Sequence, residues 1–178
     1  MSIQIGAKPD AGFEDPIGML KDCHRRIEQF LHLLCLVVER APGRPLTEEE
    51  AAAVKSALTY FKVGGQRHTA DEEESLFPRM RAEQSTATAL KEIEALETDH
   101  RQADDLHAAV EKLYTLWLEG RALSAEEFQQ LRAATERLKQ LYDGHIRIEE
   151  TLVFPRAAEG LDRKAIEQIG EEFRARRK

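Results

Sequence analysis

The sequence predicts an all-α protein, with four long helices arranged as two antiparallel hairpins and a short extra helix after them. Three observations predict it. Apolar residues recur at spacings of three and four over four long stretches, the period of one helix face. Proline, glycine and capping residues punctuate the ends of those stretches. The chain also repeats itself with a register of about 76 or 77 residues.

The first helix follows Ile17, Leu20, His24, Ile27, Leu31, Leu34 and Val38; Pro16 is placed to open it and Pro42-Gly43-Arg44-Pro45 to end it. Thr47-Glu48-Glu49-Glu50 is a capping box for the second, whose stripe is Val54, Leu58, Phe61, Gly65, His68 and Glu72. The third reads Ile93, Leu96, His100, Ala103, His107, Val110, Tyr114 and Trp117, and stops near Gly120. Ser124-Ala125-Glu126-Glu127 caps the fourth, which follows Leu131, Ala134, Leu138, Leu141, His145, Ile148 and Leu152. Phe77-Pro78 and Phe154-Pro155 read as stops, with Pro155 expected to break or kink its helix. Beyond it, Leu161 to Lys178 forms a fifth helix, with Asp162 as N-cap and Ile166, Ile169 and Phe173 on the face that docks within the monomer. Its basic end, Arg174 to Lys178, is expected to be solvated. The chain thus divides into an arm over 1–14, a bundle over 15–157 and a C-terminal helix or tail over 158–178.

What recurs in the repeat is chemistry. His-x-x-x-Glu occurs as His68 to Glu72 and again as His145 to Glu149, and His-Arg pairs stand upstream at His24 and His100. Each of these histidines occupies a position where the helix period calls for an apolar core residue. One such histidine is ordinary; one on each of four helices is a pattern. Glu72 and Glu149 lie one turn further along the same faces, where a carboxylate without a cation is costly. Counting back from each hairpin turn, the paired histidines differ in depth by only ~5–6 Å at ~1.5 Å per residue. The side chains therefore converge on one level, at the bundle end away from the hairpin turns and near the Arg81 to Ala87 connection. Glu73 and Glu150 follow the motif glutamates but turn ~100° off the face, and are expected to be solvated.

The order His, His-x-x-x-Glu, His, His-x-x-x-Glu, with its Phe-Pro endings, resembles the hemerythrin-like HHE cation-binding domain over about residues 15 to 157. The resemblance implies an up-down-up-down four-helix bundle holding a non-haem di-iron centre. It implies His24, His68, Glu72, His100, His145 and Glu149 as ligands, with both glutamates bridging the irons. One departure stands out. Oxygen-carrying hemerythrins have His-x-x-x-His on the third helix, whereas this chain has Asp104 after His100. Asp104 is an additional candidate that we read as facing solvent. His107, ~10 Å beyond His100, is too far to share the metal. We read it as a buried hydrogen-bonded histidine, with an outer-layer or access role as the alternative. The adjacent Gly64-Gly65 is odd in a helix interior, and means either close packing or room for a ligand near His68.

Composition narrows the function. A net charge of −7 argues against general nucleic-acid binding, and no apolar run is long enough to span a membrane. Cys23 and Cys35, ~18 Å apart along one helix, cannot pair, and free thiols suit a cytoplasmic protein. The donor set of imidazole and carboxylate suits iron, with manganese or zinc as alternatives. The expected function is a cytoplasmic di-iron protein that binds or senses a small molecule such as O2, NO or peroxide, or that handles iron. A di-iron redox enzyme, peroxidase-like, nitric-oxide-reducing or repairing iron–sulfur clusters, is the second reading, and a zinc-bound or metal-free interaction module the third. Residues 1 to 14 hold no cysteine, which counts against the repair reading. The sequence leaves the oligomeric state open.

Overall fold

The computed structural model describes residues 10–178, so most of the expected N-terminal arm lies outside the described residues. Among the described residues there are helices and no strand. Helix α1 is Pro16–Arg40, opened by Asp15, whose carboxylate accepts from the Gly18 amide. The second rod is composite: α2 (Glu48–Tyr60), a π-helical turn (Phe61–Gly65), α3 (Gln66–Asp71), a second π turn (Glu72–Leu76) and α4 (Phe77–Ala82). A 3-10 segment, Gln84–Ala89, leads into α5 (Leu90–Leu118). The fourth rod is α6 (Ala125–Ile148), a π turn (Glu149–Val153) and α7 (Phe154–Gly160), and α8 spans Arg163–Ala175. Thr47 and Ser124 form complete capping boxes with Glu50 and Glu127, as their spacing predicts. Gly43 and Gly120 turn the chain with φ of 77° and 85°, a region that penalises other residues.

The Phe-Pro dipeptides do not stop their helices. A proline removes a donor and its ring clashes with the carbonyl four residues back. Here a π turn precedes each one: Phe77 N–H reaches the Glu72 carbonyl and Phe154 N–H the Glu149 carbonyl, each five residues back. The widened turn makes room for the ring, and the proline then sits in the first turn of α4 or α7, where its missing N–H costs little.

Because the rods continue, the apolar core has two parts. One, toward the hairpin turns, gathers Leu31, Leu34, Val54, Tyr114, Trp117 and Leu138. The other gathers Leu76, Phe77, Met80, Ile93, Phe154 and Phe173. The histidine level lies between them rather than at the open end of the bundle, since the turns of α4 and α7 close a further apolar layer beyond it.

Helix α8 packs on α1, on α3 and on the Glu72–Leu76 turn, with Ile169 and Phe173 buried. The Phe13 carbonyl rests directly on Gly170, where any Cβ would overlap it. The basic end of α8 is not simply solvated. Arg177 donates to Asp71 Oδ2 at 2.5 Å, while Arg176 donates to Asp71 Oδ1 at 2.9 Å and to Ser75 Oγ at 2.7 Å. Asp71 is 0% exposed, so its charge depends on these two guanidiniums. Arg79 and Glu172 add a two-pronged pair at 2.7 and 3.0 Å.

Replacing both arginines (Arg176→Gln with Arg177→Gln) leaves a buried carboxylate unpaired and is expected to cost about 3 kcal/mol. Breaking the exposed Arg163–Glu167 pair by Arg163→Gln should cost well under about 1 kcal/mol. Chemical denaturation of the two variants checks the contrast, and equal midpoints would mean that Asp71 does not need its partners.

Candidate metal centre

Each rod delivers its histidine inward because the residues on either side of it in the apolar stripe are core. His24 lies between Leu20 and Ile27, and His100 between Leu96 and Ala103. His68, Glu72, His145 and Glu149 are likewise buried. The side chains form two groups, His24-His68-Glu72-Glu149 and Glu72-His100-His145-Glu149, with one donor atom from each residue within 4.8 Å of the others in its group. Glu72 and Glu149 belong to both.

Within the first group His24 Nε2 is 3.0 Å from Glu149 Oε2, and His68 Nε2 is 3.4 Å from Glu72 Oε1. In the second, His100 Nε2 is 3.4 Å from Glu72 Oε2 and His145 Nε2 is 3.3 Å from Glu149 Oε2. The ring nitrogens Nε2 of His100 and His145 face one another at 3.2 Å. Despite this closeness, His24 Nε2, both nitrogens of His68 and all four oxygens of Glu72 and Glu149 are buried without a hydrogen-bond partner. His100 and His145 apart, ligand atoms that crowd together with hydrogen-bonding capacity unused are aimed at common points between them. That geometry fits cations.

Electrostatics agrees. Burial, and then repulsion from Glu149, push the Glu72 carboxyl well above the usual carboxylate range. Glu149 goes the other way: burial opposes its charge, but His145 and His24 outweigh it and hold the group well below that range. Burial, reinforced by the charge of His24, drives His68 well down and keeps it neutral. Burial also opposes protonation of His24, yet Glu149 and Glu72 outweigh it and raise this imidazole.

Glu73 and Glu150 are not merely solvated. His100 donates Nδ1–H to Glu73 Oε1 at 2.8 Å, and His24 donates Nδ1–H to Glu150 Oε1 at 2.9 Å. Each carboxylate serves the histidine of the other repeat, and by taking Nδ1–H it leaves Nε2 free to point inward. Asp99, which the stripe analysis missed, lies 3.5 Å from His145 Nδ1. The signal was available: acids adjoin the histidine or glutamate in both repeats, and metal-binding imidazoles commonly need an outer carboxylate. His24 also stacks on Phe154 with ring centroids 5.3 Å apart, and His100 on Phe77 at 6.4 Å, so the Phe-Pro motif walls off both halves.

Asp104 is exposed and outside both groups. His107 is also outside them; its Nε2 is 3.0 Å from the Tyr142 hydroxyl, and burial lowers it to about 4, so it is neutral at pH 7. Both line a cleft of about 510 Å³ between the second rod and α5 that reaches His100. Gly65 lines the cleft as well, whereas Gly64 lies against the Tyr60 ring. Cys23 and Cys35 are free and take no part in either group, and burial pushes both thiols up.

Comparison with known proteins gives these residues a context. The family model of the hemerythrin HHE cation-binding domain matches residues 15–157. An uncharacterized protein of Haemophilus influenzae is 29% identical over 169 residues, which cover 94% of this chain and 92% of that protein. The chain belongs to the hemerythrin HHE cation-binding domain family.

Two outcomes follow from a centre whose donors lack partners. A divalent metal that fills it should raise the melting temperature, since binding to the native state alone adds stability. His68→Ala or His145→Ala should sharply lower both metal content and that rise. Coincident melting curves with and without metal would refute the assignment.

Metal uptake should also release protons and weaken as pH falls. His24 and Glu72 are both raised, so protons compete with the metal to higher pH than at an ordinary histidine or carboxylate. Affinity should therefore rise with pH through those transitions. Titration calorimetry in buffers of different ionisation enthalpy measures the protons released, and uptake with no release would contradict the ligand set.

Proposed function

We propose that this member of the hemerythrin HHE family holds two iron ions in its buried centre and uses them to bind or sense a small molecule such as O2, nitric oxide or peroxide. The same centre could alternatively serve the handling of iron itself. The observation that carries the reading is the sharing of Glu72 and Glu149 by both His/Glu groups. Two cations would use both groups at once, with Glu72 and Glu149 serving each, whereas one cation would take the four residues of one group and leave the two histidines of the other outside it. Imidazole and carboxylate without thiolate favour iron; manganese and zinc accept the same donors and are outcomes of the test. We read the rods as an up-down-up-down four-helix bundle, supported by the tight turns at Gly43 and Gly120 and by the packing of α1 on α2 and of α5 on α6.

Bound iron would supply redox chemistry and coordination positions beyond those the protein fills. The protein's own part is to orient and to exclude. Glu73 and Glu150 hold the His100 and His24 rings in one tautomer, and Phe77 and Phe154 keep water from their faces. Redox turnover is the second reading, favoured by the cleft that lets solvent-borne molecules reach His100. A cytoplasmic site of action suits the free thiols, and no helix among the described residues is long and apolar enough to cross a membrane.

Elemental analysis of anaerobically purified protein should find about two iron atoms per chain, one for each His/Glu group. Zinc or manganese in their place would redirect the reading, and no metal would end it. With Asp104 outside the centre, oxygen should oxidise the reduced protein and leave it oxidised rather than bind reversibly. Stopped-flow absorption distinguishes the two, since recovery of the starting spectrum on removing oxygen would show that a carrier survives without a fifth histidine.

A further inference from the structure

The donor set does not say which half of the centre meets an incoming molecule, because each half offers two histidines and the same two glutamates. Access does. The cleft between the second rod and α5 reaches His100 and its partner Glu73, and touches neither His24 nor His68. On the opposite side α1 packs along α6.

The duplication explains the difference. In the repeat register Leu31 corresponds to His107, Tyr142 to Gly65 and Ile146 to Thr69. Leu31, Tyr142 and Ile146 are all buried in the core. Their counterparts His107, Gly65 and Thr69 all line the cleft. At three equivalent places the α1–α6 side of the bundle has a large, mainly apolar residue, and the side between the second rod and α5 has a smaller or more polar one that leaves space; Tyr142 reaches both, since it also lines the cleft. Asp104 stands in the same cleft wall, exposed and outside both His/Glu groups. The inner wall is the His107–Tyr142 pair, bonded at 3.0 Å, with the Phe61 ring 4.7 Å from His107.

Resting on the metal-centre reading above, we propose that this cleft is a ligand-binding site that delivers a small uncharged molecule to the His100–His145 half of the centre, with His107 and Tyr142 as its hydrogen-bonding wall. The preference for an uncharged molecule comes from the lining. Glu73, Glu74, Asp104 and Glu111 face the cleft against Lys62, so an anion is repelled on entry. The inner wall offers a phenol and an imidazole bonded to each other, and Lys62 is the one cationic side chain in the lining.

Position 65 allows the cleft to be filled. A Cβ there would meet only Phe61 Cδ1, at 3.7 Å, an ordinary contact. Gly65→Leu with Thr69→Ile should keep the metal content and the absorption spectrum while slowing nitric oxide association with the reduced protein at least tenfold. Thr69→Ile alone, which installs the residue of the other repeat, serves if the double variant does not fold. Azide should associate slowly with the parent protein, and faster as salt screens the acidic wall. A wild-type nitric oxide rate in the filled variant would overturn the proposal, as would an azide rate that ignores salt. A second measurement does not depend on the metal reading. In zinc-equilibrated protein under oxygen pressure, methyl relaxation by dissolved oxygen should be several-fold greater at Thr69 and Ala103 than at Ile146 and Leu31. Equal relaxation at the two sets would overturn the cleft assignment whether or not the protein holds metal.

Discussion

Two carboxylates buried against one another are the constraint on which the rest of this structure depends. Glu72 and Glu149 are 0% exposed, and neither has a hydrogen-bond partner for its oxygens. In an apolar interior such a pair is tolerated only if protons or cations balance it. Four imidazoles surround the pair, and the orientation of two of them is set from outside by Glu73 and Glu150. The polar layer is thus built from the outside in: surface-facing carboxylates fix ring tautomers, the rings aim nitrogens inward, and the central glutamates sit where those nitrogens converge.

The backbone is adapted to the same layer. Each central glutamate begins a π turn, and each π turn runs into a Phe-Pro dipeptide. The widened turn lets the helix pass the proline, so the phenylalanine becomes a wall for an opposite histidine instead of a terminus. On the second rod the arrangement is reinforced from beyond the family domain: α8 brings Arg176 and Arg177 to Asp71, the residue before Glu72. A helix at the end of the chain thereby holds the turn that presents a central glutamate.

Symmetry and its loss divide the labour. The centre keeps the repeat almost intact, with the same donors and exchanged outer carboxylates from each half. The surroundings have diverged, with Leu31, Tyr142 and Ile146 on one side and His107, Gly65 and Thr69 on the other. A duplicated bundle can bind cations symmetrically and still open to solvent on one side, because fillers in a groove can change without touching the ligands.

The helices, their caps and the six convergent residues were legible in the sequence. A helix buries one face, and histidines placed on four buried faces at matching distances from two hairpin turns have few other places to go. The acids beside the motif glutamates, Glu73 and Glu150, were visible in the sequence, but which histidine each orients was not, because that histidine lies on a different rod and periodicity within one helix carries no information about its neighbours. The passage of the helix through Pro78 and Pro155 was hidden as well, since local propensity reads Phe-Pro as a stop and only the five-residue hydrogen bonds of the folded rod accommodate it. The docking of Arg176 and Arg177 on Asp71 spans more than a hundred residues of chain, and the side on which the bundle opens depends on how whole rods pack. Sequence by itself determined which side chains face inward, because that follows from the period of a single helix. Tertiary structure alone decided which groups orient them and where solvent can enter, because those depend on contacts between helices.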